Sequence, residues 1–181
     1  PSCEFFPMEA IKTNILGTIK HNAHKKNDGS FVSLISEVLP MVKTKSPVSV
    51  SINSSIPGEG KSYLSDNLSR TLGELGYSVL LIDFNHQRPN WQSMVLDPNS
   101  KPTLDEFFKG DISPSEIIHS TNKENVSVCG FKQSNGFLTY YLFKKFDKKL
   151  SSLKDDFDVI LFDCPSYSVF PDSKVFPVGK S

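Results

Sequence analysis

Lys61 and Ser62 close the run Ser54-Ser55-Ile56-Pro57-Gly58-Glu59-Gly60-Lys61-Ser62, and residues of these types in this order suit the binding of a polyphosphate. Glycines let successive backbone N–H groups turn inward on phosphate oxygens, and a helix starting where the loop ends adds partial positive charge. The lysine brings a mobile ammonium and the serine a hydroxyl for Mg2+. On this reading Lys61 reaches the β- and γ-phosphates and Ser62 the metal. Ser55, Pro57, Gly58, Glu59, Gly60 and Tyr63 complete the nucleotide-binding segment. The usual pattern, G-x-x-x-x-G-K-[ST], has glycine where this chain has Ser55. For the loop taken alone, a glycine-rich turn that binds nothing is the alternative.

Two acids stand where the same chemistry would want them. Val79-Leu80-Leu81-Ile82 ends in Asp83, 22 residues after Lys61, and Val159-Ile160-Leu161-Phe162 ends in Asp163. In a parallel sheet, ligands bind at the carboxyl ends of the strands. A carboxylate there can hold Mg2+, directly or through water, or accept a proton from an incoming hydroxyl. Mg2+ uses one or two carboxylates with phosphates and waters, so Ser62, Asp83 and Asp163 are the expected metal shell for ATP or GTP. The alternative for Asp83 is a strand-end acid that caps the following turn.

These residues need a frame to bring them together. Apolar runs predict strands at Val48 to Ile52, Val79 to Ile82, Val126 to Cys129 and Val159 to Phe162, alternating with helical segments as in a parallel sheet with crossover helices. Leu64, Leu68, Leu72 and Leu75 fall on one face of a helix from Tyr63 to Leu75, with Gly76 at its end. Thr103 to Lys109 and Pro114 to His119 read as short helices. Phe143, Phe146, Leu150, Leu153 and Phe157 recur at helical spacing, opposite a lysine-bearing solvated face. Residues 1–46 read as an N-terminal arm or layer, with helical candidates at Met8 to Ile19 and Phe31 to Val42, and residues 47–181 as the nucleotide-binding domain. His21 and His24 have the spacing of metal ligands, but the charged turn around them offers no carboxylate or cysteine.

Composition narrows the classes further. The 181 residues can bury one sizeable core. Twenty basic and twenty acidic residues cancel, so no global positive field recommends nucleic acid as a partner. Cys3, Cys129 and Cys164 lack the spacing of a zinc site or a disulfide framework, and a reducing cytosol is expected. No apolar run approaches the roughly 18 residues of a membrane span.

Pro57-Gly58-Glu59-Gly60-Lys61-Ser62, Leu80-Leu81-Ile82-Asp83 with Arg88-Pro89, and Ile160-Leu161-Phe162-Asp163-Cys164-Pro165 resemble the Walker A, A′ and B motifs of bacterial protein-tyrosine kinases (BY-kinases). The resemblance spans Val48 to Phe176, and Ser55 in place of the first glycine is common in that family. It implies a P-loop three-layer α/β/α domain with a mostly parallel central sheet, and Mg2+ and ATP as cofactors. It further implies tyrosine (auto)phosphorylation in the control of capsule and exopolysaccharide export, with Lys61, Asp83 and Asp163 as the catalytic set. A membrane polysaccharide co-polymerase, fused or separate, would be the partner of a homo-oligomer at the cytoplasmic face of the plasma membrane.

The chain departs from that family at A′. Where the pattern is Asp-x-Asp-x-Arg, it reads Asp83-Phe84-Asn85-His86-Gln87, and an amide at Asn85 cannot take a proton near neutral pH. No convincing Glu-x-x-Arg-x-x-Arg oligomerisation motif and no tyrosine-rich tail is present in the 181 residues. Two further functions therefore stay open. One is a non-catalytic ATP-binding regulator of the same export system. The other is a dimerising ATPase switch with a deviant Walker loop, a class that carries a second lysine near where this chain has Ile56 and Pro57.

Overall fold

A computed structural model of the chain describes residues 29–44, 47–86, 88–97, 102–110, 112–133 and 156–166. The expected helices at Met8 to Ile19 and across Phe143 to Phe157, the His21/His24 turn and Gln87 lie wholly or mainly outside them. The elements are α1 (Gly29–Thr44), β1 (Val48–Ile52), α2 (Lys61–Glu74), β2 (Val79–Asp83), α3 (Leu104–Lys109), β3 (His119–Ser120), β4 (Val126–Gly130) and β5 (Val159–Asp163), with single 3-10 turns at Trp91–Met94 and Pro114–Ile117.

The five strands form one sheet in the order β1-β5-β2-β4-β3. Pairings β1·β5, β5·β2 and β2·β4 are parallel, and only the two-residue β3 runs antiparallel, against β4. His119 thus belongs to an edge strand rather than to the end of a short helix. The helical turn stops at Ile117, and the chain then extends so that His119 and Ser120 pair with Val128 and Ser127.

β2 and β5 are buried along their whole length, as continuous apolar runs in a parallel sheet must be when both faces are covered. One face carries Leu80, Ile82, Phe84, Cys129, Ile160 and Phe162 against Phe107 and Phe108 of α3 and Ile117. The other carries Val79, Leu81, Val159 and Leu161 against Leu68 and Leu72 of α2, Val38 and Val42 of α1, and Trp91. This is the layered α/β/α arrangement with a mostly parallel sheet. At the lower end of the sheet, Asp158 Oδ2 accepts hydrogen bonds from the Ser78 backbone N–H and hydroxyl, at 2.9 and 3.0 Å, and so aligns the starts of β2 and β5.

Trp91 anchors the segment that follows β2. It is fully buried, its Nε1 donates to the Phe131 carbonyl at 2.8 Å, and its ring lies 4.8 Å from that of His119. The indole fits only because residue 130 is glycine: a Cβ there would stand 2.1 Å from a Trp91 ring carbon. Gly130→Ala is therefore expected to cost about 2–3 kcal/mol, as overpacking does in a core that cannot yield. Urea denaturation reads this directly, and an unchanged midpoint would refute it.

Candidate functional site

The chain leaves β1 at Ile52 and enters α2 at Lys61 through a loop that needs two left-handed residues, Gly58 and Gly60, at φ 84° and 86°. L-residues with a Cβ rarely adopt this conformation. The curl brings the loop's side chains back onto its own start. Lys61 Nζ donates to Ser54 Oγ at 2.6 Å, and Ser54 Oγ donates to the Ile56 carbonyl at 2.8 Å. Glu59 Oε2 accepts the backbone N–H groups of Ser55 and Ile56 at 3.0 and 3.3 Å. Ser55, Pro57, Gly58 and Tyr63 are exposed at the mouth of the loop.

Strand register sets the acids beside it. Asp163 is level with Ile52 on one side and with Asp83 on the other. Level residues of parallel strands share a face, and here it is the α2 face, where the parity of Val159, Leu161, Val79 and Leu81 places them. Asp163 is buried, and its Oδ1 is shielded without a hydrogen-bond partner. Burial first, and then the neighbouring Asp83 charge, push its carboxyl up to about 7, against the pull of Ser62, Lys61 and Ser65. A buried carboxylate with one oxygen left without a partner, beside the Ser62 hydroxyl, is a hard oxygen donor set, and it fits Mg2+. Among the described residues no three His, Cys, Asp or Glu side chains form a metal cage.

Asp83 is engaged differently. Its Oδ1 accepts the Asn85 N–H at 2.8 Å, and its Oδ2 accepts the N–H groups of Asn90 and Trp91 at 2.7 and 3.1 Å. Burial raises its carboxyl, and these three amides oppose the rise. The capping geometry weighed as the alternative from sequence is therefore the one Asp83 makes. A carboxylate offers about four lone-pair positions, and these three bonds leave one of them, on Oδ1, unused. Asn85 Oδ1 accepts the Arg88 N–H at 3.3 Å, which closes the A′ segment on itself.

Three residues escaped the sequence reading. Ser54 receives the Lys61 ammonium. Ser65 is fully buried beside Asp163 and donates to the Lys61 carbonyl at 2.9 Å. Its signal was a serine one helical turn after Ser62 among leucines, which reads equally as an indifferent polar position. Trp91 carries the loop that Asp83 caps, and it stood out only as the lone tryptophan.

A strand-loop-helix turn delivering lysine and serine to an acid on the adjacent strand defines a P-loop α/β domain. The family described as "AAA domain" matches residues 49–173. The tyrosine-protein kinase CpsD of Streptococcus pneumoniae serotype 4 is 28% identical over 127 residues, which are 70% of this chain and 56% of that protein. The solved BceF tyrosine kinase domain superposes with a TM-score of 0.56 at 26% identity, covering 76% of this chain and 55% of that one. The cell division ATPase MinD of Pyrococcus furiosus gives 0.54 at 31% identity, over 66% of this chain and 51% of that one. The chain belongs to the AAA-domain family, and the curated relatives it matches are named tyrosine-protein kinases. It spans a little over half the length of the curated relatives it matches.

Proposed function

We propose that this domain binds Mg·ATP and transfers the γ-phosphoryl group to tyrosine, as an autokinase domain governing capsular or exopolysaccharide synthesis and export. The observation that carries the reading is the meeting of Lys61 and Ser62, at the start of α2, with the buried carboxylate of Asp163 at the end of β5, whose Oδ1 has no partner. Phosphoryl transfer needs mainly positioning and charge neutralisation. Lys61 would leave Ser54 for the β- and γ-phosphates, the backbone from Ser55 to Gly60 would line the phosphates, and Tyr63 would sit at the loop's outer edge. Ser62 and Asp163 would hold Mg2+, with the charge of the neighbouring Asp83 favouring the cation. A bound Mg2+ would neutralise charge developing on the phosphates. The proton leaving the tyrosine hydroxyl would go to Asp83 by its one open lone-pair direction.

The resemblance at the three motifs, together with a relative named tyrosine-protein kinase, supports the activity. It also supports a homo-oligomer working with a membrane polysaccharide co-polymerase at the cytoplasmic face of the membrane. No helix among the described residues is long and apolar enough to cross a membrane.

Asn85 favours one competing reading, a nucleotide-binding regulator without kinase chemistry, because an amide held by the Arg88 N–H cannot serve as a base. Incubating the full-length protein with radiolabelled ATP and Mg2+ decides between them. Phosphotyrosine is expected, and its absence despite normal nucleotide binding would refute the kinase. In that event Asn85→Asp should create the activity if a lost carboxylate is the cause.

A further inference from the structure

We infer that Glu59 sets the affinity of the phosphate loop by acting as an internal anion. Its carboxylate takes the backbone N–H groups of Ser55 and Ile56 and must give them up before a polyphosphate can use them. The inference rests on the reading that the loop binds nucleotide.

The geometry makes the case. Two consecutive amides converge on one oxygen, Glu59 Oε2, at 3.0 and 3.3 Å. Convergent loop amides are the arrangement that holds a phosphate oxygen, so the side chain satisfies the loop with a charge of the same sign. Glu59 reaches back three and four residues because Gly58 and Gly60 curl the loop at positive φ. It draws nothing from the loop's cation: Lys61 Nζ is bonded to the Ser54 hydroxyl. Nor is the carboxylate locked in place. Glu59 is exposed, so the side chain can leave the amides for solvent.

A ligand that binds only the vacated loop has its affinity reduced by the fraction of molecules in which the loop is closed. Once swung out, the carboxylate still stands near the polyphosphate and repels it. One like-charge contact at about 4 Å in water is worth roughly fivefold in binding. Removing the charge therefore tightens binding even if the loop opens readily.

The test is titration of the wild-type chain, Glu59→Gln and Glu59→Ala with Mg·ADP, Mg·ATP and inorganic pyrophosphate. Both variants should bind all three about three- to tenfold more tightly, and the gain should not depend on the adenosine. A side chain that merely shapes the loop would weaken binding when replaced, and one that merely decorates it would change nothing. Either result, with the wild type binding Mg·ADP normally, overturns this inference and leaves the nucleotide reading standing. Failure of the folded wild type and both variants to bind any of the three would overturn both.

Discussion

Asp163→Asn is expected to abolish tight Mg·nucleotide binding and, at the same time, to stabilise the protein at pH 8. The two effects share one cause. The folded chain holds the Asp163 carboxyl up to about 7, from an ordinary 3.8, through burial and the charge of Asp83. In the unfolded chain the same group ionises near 4. Between about pH 4 and pH 7 the folded protein therefore keeps a proton that the unfolded chain has lost, and stability falls as pH rises through that window. Above pH 7 the full cost is present, on the order of 4 kcal/mol. Asparagine removes the titration and keeps the shape. Urea denaturation should find variant and parent alike below about pH 4, with the variant gaining steadily above it and clearly more stable at pH 8.

In the parent, Mg·ADP should recover that stability, increasingly so as pH rises through 7, because the metal competes with the proton. In the variant the recovery should vanish, and turnover should fall about 10²-fold or more, the scale of losing one ligand that neutralises phosphoryl charge. A variant no more stable than its parent at pH 8 would show that Asp163 carries no such burden.

Asp83→Ala should have the largest purely structural effect, a loss of about 3 kcal/mol. Three backbone N–H groups, of Asn85, Asn90 and Trp91, lose their acceptor; the buried Trp91 donor bears the full cost of about 1–3 kcal/mol, and the part-buried Asn85 and Asn90 bonds add less because water can replace them. Removal of a buried charge beside Asp163 offsets part of the sum. The damage should spread along the Trp91 anchor to Gly130 and His119, which pack on the indole. Asp83→Asn, which keeps one acceptor oxygen, should be milder. Because the Asp83 charge is one reason the Asp163 carboxyl is high, both variants should also move the pH midpoint of Mg·ADP binding downward. A simple loss of folding would leave that midpoint in place. Denaturation and binding as functions of pH, measured on one preparation, separate the two.

Much of the frame was legible from local chemistry. The predicted strands at Val48 to Ile52 and Val159 to Phe162 match β1 and β5 to within a residue, because β-branched and aromatic runs bounded by polar residues have few other ways to be buried. Helix α2 begins two residues earlier than the leucine pattern shows, at Lys61, because Gly60 supplies the left-handed turn that starts it. β3 was invisible, since a two-residue strand has no periodicity and exists only through its pairing with Ser127 and Val128.

By itself the sequence determined that a lysine-serine loop and two strand-end acids occur in the order a phosphate site requires, and that the sheet between them is parallel and covered on both faces. Local propensity and burial decide such things within each segment. The tertiary structure alone decided how those groups divide their work. Register put Asp163 between Ile52 and Asp83, which left its Oδ1 without a partner and raised its carboxyl. The loop after β2 folded back to use Asp83 as a cap. The curl at Gly58 and Gly60 laid the Glu59 carboxylate on the amides of Ser55 and Ile56. Each of these depends on lone pairs and amides meeting across chain reversals or between strands, which no pattern of residue types along the chain encodes.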